Sequence, residues 1–162
     1  MAEEKRKRIL ILYYSRTGST ERMARLIGEG VAEAGVADHD VRSVEGFDAG
    51  SLLDYDGIIM GSPTYYGTLA YEAKKVIDES VKYHGKLAGK AGSAFTSAAN
   101  IGGGNETTVL SILSAWLIHG MIVQGNEKGD HYGPVSIGAP DERAAAQCRE
   151  MGRRFAGLVN KL

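Results

Sequence analysis

Short, continuous apolar runs alternate along this chain with stretches in which apolar residues recur every third or fourth position. Arg8–Tyr14 reads as a strand buried on both faces. Ser19–Ala34 carries Met23, Leu26, Ile27, Val31 and Ala34 at helical spacing, and Gly35 stops it. Asp40–Val44 is a short polar strand suited to a sheet edge. Tyr55–Gly61 is apolar again, and Leu69–Val81 places Leu69, Ala73, Val76, Ile77 and Ser80 on one helical stripe. Lys90–Ser97 predicts a fourth strand. Glu106–His119, with Val109, Leu113, Trp116 and Leu117 on one face, predicts a helix ended by Gly120. Met121–Gln124 predicts a fifth strand. Asp141–Leu162 keeps Ala144, Cys148, Met151, Phe155, Leu158 and Leu162 in helical register. Strands alternating with helices argue for a parallel sheet covered on both faces, a three-layer α/β domain spanning residues 1–162. In such a sheet ligands bind beyond the carboxyl ends of the strands, where the winding reverses.

The first predicted strand runs directly into Ser15-Arg16-Thr17-Gly18-Ser19-Thr20, which packs four hydroxyls and a glycine where a helix must begin. A helix start offers unpaired N–H groups and the positive end of its dipole to an anion. No lysine closes the loop, so it is not the GxxxxGK[ST] nucleotide loop, and it lacks the GxGxxG of a dinucleotide site. It suits one phosphate monoester. The same residues would also serve as a capped strand-to-helix turn.

Two more unusual loops follow the third and fourth predicted strands. Gly61-Ser62-Pro63-Thr64-Tyr65-Tyr66-Gly67 reads as a proline-stiffened turn presenting adjacent tyrosines. Thr96-Ser97-Ala98-Ala99-Asn100-Ile101-Gly102-Gly103-Gly104 leads into Asn105-Glu106 at a helix start. Pointed at one crevice, the three loops would hold a phosphate, an aromatic plane and the amide edge of a heterocycle.

Composition narrows the picture. At 162 residues, 43% hydrophobic and 24% charged, the chain has the balance of one globular domain, and its 22 glycines cluster behind apolar runs. A net charge of −1 gives no reason to expect nucleic acid as a partner. No apolar run is long enough for a membrane span, and the start Met1–Arg8 lacks a signal-type segment, so a cytoplasmic protein is expected. Cys148 stands alone, and His39, His84, His119 and His131 are scattered without metal-ligand spacing. On the apolar stripe of the last helix, Cys148 is expected to be buried and unreactive.

The loops carry a resemblance. Leu12-Tyr13-Tyr14-Ser15 with Gly18, and Asp54-Tyr55-Asp56-Gly57-Ile58-Ile59 with Gly61-Ser62-Pro63-Thr64, resemble the flavodoxin-like WrbA-type NAD(P)H:quinone oxidoreductases. So do Gly85-Lys86-Leu87, Phe95-Thr96-Ser97, Gly102-Gly103-Gly104-Asn105-Glu106, His119-Gly120-Met121, His131-Tyr132-Gly133 and Ala156-Gly157-Leu158. The resemblance implies a flavodoxin-like sheet of five parallel strands in the order 2-1-3-4-5, and FMN as cofactor. By it, Ser15–Thr20 (Ser15, Arg16, Thr17, Gly18, Ser19, Thr20) would bind the FMN phosphate. Pro63, Thr64, Tyr65, Tyr66 and Gly67 would flank the isoalloxazine. Ser97, Ala98, Ala99, Asn100, Ile101, Gly102 and Gly103 would hold its pyrimidine edge. His119 would reach the flavin edge, or else interact with the end of its own helix. The resemblance also implies NAD(P)H as donor, a quinone-like acceptor, and a homodimer or homotetramer. The chain is shorter than that family between Val44 and Asp54, Ser80 and Gly85, and Gly125 and His131. The second gap removes the segment in which the family carries a tryptophan over the substrate site.

Two functional readings follow. One is an oxidoreductase whose chemistry belongs to the flavin, with no catalytic side chain required and no metal. The other is a flavodoxin-type electron carrier with a redox protein as partner. Carriers are usually strongly acidic, whereas this chain has 20 acidic against 19 basic residues. The loop after the fourth predicted strand carries no aromatic between Phe95 and Trp116, leaving one flavin face open. Both observations favour the enzyme.

Overall fold

The computed structural model describes residues 5–162. Its elements run β1 (Lys7–Tyr13), α1 (Ser19–Ala34), β2 (Ala37–Ser43), β3 (Gly57–Tyr65), β4 (Thr68–Leu69), α2 (Tyr71–Glu79), β5 (Ala91–Ala98), α3 (Asn105–Ile118), β6 (Ile122–Val123), β7 (Val135–Ile137) and α4 (Glu142–Val159). The sheet order β2-β1-β3-β5-β6 is the expected doubly wound order, with all four pairs along it parallel. The chain leaves β1 for β2 on one side and returns to β3 on the other, so the winding reverses beside the end of β1.

The alternation of β1 assigns its side chains to two cores. Ile9 and Ile11 join Met23, Ile27 and Val31 of α1 and Cys148, Phe155 and Val159 of α4 on one face. Leu10 and Leu12 join Ala73 and Val76 of α2 and Val109, Ile112 and Trp116 of α3 on the other. Both sets are withdrawn from water because a parallel sheet is covered on both sides. Cys148 is fully buried, and burial pushes its thiol up to about 12, so it behaves as a small hydrophobe. Helices α1 and α4 touch backbone to backbone: a Cβ on Gly30 would collide with the carbonyl of Arg149, and one on Gly152 with that of Ile27.

The structure differs from the pattern-based expectation at two places. The fifth strand position is shared by β6, beside Ala91–Gly92, and β7, beside Thr96–Ala98. The tyrosine loop is a hairpin: β3 continues through Pro63 to Tyr65, Tyr66-Gly67 form a two-residue turn, and β4 returns antiparallel. No helix among the described residues is long and apolar enough to cross a membrane.

Candidate functional site: a three-loop crevice

The loops after β1, β3 and β5 meet at the carboxyl edge of the sheet, and hydrogen bonds tie them together. The Thr20 and Ser97 hydroxyls lie 2.8 Å apart, joining the first loop to the third. Thr96 Oγ1 donates to the Ser62 carbonyl at 2.7 Å and lies 2.9 Å from Thr64 Oγ1, joining the third loop to the second. Ser62 Oγ accepts from the Ala70 N–H at 2.7 Å and fixes the return of the hairpin.

In the first loop Arg16, Thr17 and Gly18 are exposed, whereas Thr20 is buried. Gly18 precedes α1 at φ 99°, a conformation that favours glycine, and no side chain caps the helix. Ser15 Oγ accepts from the Gly18 N–H at 3.1 Å, which curls the loop. The result is an exposed helix start rimmed by the Ser15, Thr17 and Ser19 side chains. The Thr20 hydroxyl, expected in the cradle, bonds Ser97 of the third loop.

In the second loop Tyr65 is half-buried and Tyr66 stands fully exposed at φ 48°. The ring of Tyr14, from the end of β1, meets that of Tyr65 at 6.5 Å and 80°, an edge-to-face pair. A polar contact with the Glu72 carboxylate raises the Tyr14 phenol pKa, with burial adding to the shift. In the third loop Ala98 is buried and Ala99, Asn100, Ile101, Gly102 and Gly103 are exposed. That loop ends at Gly104, φ 104°, before a second helix start without a side-chain cap. The Asn105 Oδ1 is buried there with no hydrogen-bond partner in the described chain.

His119 is not in the crevice. It follows α3, whose 14 residues carry it about 20 Å from the loop where that helix starts. Its ring is buried, with Nε2 2.8 Å from Ser80 Oγ. Since Ser80 Oγ donates to the Ile77 carbonyl at 2.6 Å, it accepts from His119, which places the proton on Nε2 and leaves Nδ1 unpartnered. Burial and the nearby His84 lower its pKa. The side chain, at the C-terminal end of α3, bonds Ser80 at the end of α2 and lies away from the crevice of its own chain. Ser62, Thr96 and Thr107 shape the crevice without a sequence signal beyond their place beside the loops.

A protein-family model described as a flavodoxin domain matches residues 10–100, which include the end of β1, all of β3 and β5, and the first two loops. The chain is also 38% identical over 160 residues to a flavodoxin of Clostridium saccharobutylicum, covering 96% of this chain and 99% of that one. The chain belongs to the flavodoxin family. Within it, a second relative is named NAD(P)H dehydrogenase (quinone), from Archaeoglobus fulgidus, 32% identical over 189 residues and covering 96% and 98% of the two chains. A solved structure described as a flavodoxin, WrbA-like protein from Agrobacterium tumefaciens shares the fold with a TM-score of 0.80 at 24% identity, covering 96% and 98%. Proteins named flavodoxin and proteins named NAD(P)H dehydrogenase (quinone) are therefore both kin to this chain.

Proposed function

We propose that this chain binds FMN in the three-loop crevice and passes electrons from NADH or NADPH to a quinone-like acceptor in the cytoplasm. The residues present fit that cofactor. The uncapped start of α1 holds free N–H groups toward one phosphate, with Ser15, Thr17 and Ser19 as added donors and Arg16 as a nearby charge. Tyr65, braced by Tyr14, walls the isoalloxazine, and Tyr66 stands at the entrance. Ser97–Gly103 would hold the heterocycle edge, and the unpartnered Asn105 Oδ1 would offer an acceptor to an imide N–H. Bound FMN supplies the chemistry, accepting two electrons from a nicotinamide and releasing them to an acceptor.

The observation that carries the enzyme reading is the open wall. The exposed Ala99–Gly103 segment opposite Tyr65 contains no aromatic side chain, so a donor or acceptor ring has room to stack. A specific observation favours the carrier reading as well. The same 96% of this chain aligns over 160 residues with the Clostridium flavodoxin but over 189 with the Archaeoglobus dehydrogenase, so the latter holds insertions this chain lacks.

The test is titration with FMN and FAD, then anaerobic stopped-flow mixing of the FMN-loaded protein with NADH and NADPH. FMN binding without FAD binding, followed by rapid bleaching, is expected. Bleaching only when a reductase protein is added would replace the enzyme with the carrier. Failure to bind FMN would remove both.

A further inference from the structure

The turn that presents the two tyrosines is held from outside the hairpin. Thr107 Oγ1, in the first turn of α3, donates to the Gly67 carbonyl at 2.7 Å and also lies 3.0 Å from the Gly104 carbonyl. The backbones come equally close: a Cβ on Gly104 would collide with Gly67 Cα. Thr68 Oγ1 reaches Ser111 Oγ at 3.5 Å, a weak second tie one helical turn further on. These contacts act on a turn that is not relaxed. Tyr66 occupies the left-handed region at φ 48° and Gly67 follows at φ 82°; a tyrosine stays there only where its surroundings over-determine it.

Besides the bonds of Ser62, Thr64 and Thr68, the hairpin has supports at its tyrosine ring and at its turn. Tyr14 braces the ring of Tyr65 from β1, and Thr107 anchors the turn backbone to the helix that closes the glycine loop. We infer that Thr107 is a positioning residue of the crevice: its hydroxyl locks the Tyr66–Gly67 turn to the start of α3 and so sets the gap between the tyrosine wall and the glycine loop. The two walls then move as one unit, and a planar heterocycle meets a slot of preset width. Preorganisation of that kind acts mainly on residence time, because a loosened wall lets the ligand leave more readily. Only this consequence for binding rests on the FMN reading. The clamp itself does not.

Two variants of the full chain test it. Thr107→Val keeps the shape and removes the hydroxyl, and Thr107→Ser keeps the hydroxyl. Amide hydrogen exchange of the peptide spanning residues 64–70, in protein without FMN, reads the clamp directly. In Thr107→Val it should speed up by about fivefold, the worth of one hydrogen bond, and in Thr107→Ser it should stay close to wild type. FMN dissociation measured on the same proteins should accelerate about as much in Thr107→Val and recover in Thr107→Ser. Unchanged exchange in Thr107→Val overturns the clamp. Faster exchange with unchanged FMN dissociation overturns its role in setting the slot. If the wild type binds no FMN, the functional reading fails and exchange alone judges the clamp.

Discussion

Helices α1 and α3 start after Gly18 and Gly104 with no side-chain cap, and α2 starts after Ala70 likewise. Helix α4 starts after Asp141, whose carboxylate accepts from the Ala144 N–H at 2.8 Å. In a parallel sheet all four begin at the same edge, so the difference is not one of place. It follows the loops: α1, α2 and α3 emerge from the three that meet in the crevice, whereas α4 follows β7, its Asp141 lining a cavity beside Ile101, Gly102 and Gly104. A cap contributes about 1 kcal/mol, and at α1 and α3 its absence leaves N–H groups free for the guest proposed above. At α4 the Asp141 carboxylate satisfies one such donor within the chain.

The largest expected effect comes from closing the first helix start. Gly18→Asp puts a carboxylate where the phosphate dianion would sit, and nothing crowds a Cβ there. Hydrogen bonds to charged groups contribute about 1.5–3 kcal/mol each, so losing two weakens FMN binding by about 100-fold or more. Gly18→Ala shares the strain of φ 99° without the charge, and the difference between the two variants in an FMN titration isolates the electrostatic part. Equal affinities would place the phosphate elsewhere.

The converse substitution should touch stability alone. Asp141→Ala removes the α4 cap and should cost about 1 kcal/mol in urea unfolding, with the FMN dissociation constant unchanged. A large loss of FMN affinity would bring α4 into the site and erase the contrast between the helix starts.

The smallest effect concerns the other end of α3. Because burial and His84 lower the His119 pKa in the folded state, the unfolded chain takes up that proton first as pH falls. This contribution is level above about pH 6.5 and becomes progressively destabilising below it. Urea midpoints compared at pH 7.5 and 5.5 should show a smaller drop in His119→Gln than in wild type. Equal drops would mean that the closed end of the helix does not sense protons.

The layers were legible because β1 sends alternate residues into two cores, a pattern visible in Ile9-Leu10-Ile11-Leu12. The sheet order was reached through resemblance, and the pairing bears it out. Three features were hidden. Val135–Ile137 is too short to show a period, and its strand character comes from pairing with Thr96–Ala98. The direction of the Thr20 hydroxyl depends on Ser97, 77 residues away. For His119 the resemblance offered the flavin edge or the end of its own helix, and its bond to Ser80, 39 residues away, could not be read locally. Local composition marks a loop as unusual; which of its side chains face inward is a tertiary fact.

The glycine contact between α1 and α4 has a consequence for the order in which the protein matures. During synthesis residues 19–34 emerge early, with Gly30 shaped for a neighbour that does not yet exist. That neighbour, centred on Gly152, leaves the ribosome more than a hundred residues later. Until then α1 can rest on the sheet through Ile9 and Ile11, but the side that Phe155 and Val159 will cover lacks that cover. The earliest loop of the crevice to be translated thus leads into a helix whose packing is completed only when α4, the last element, has been made.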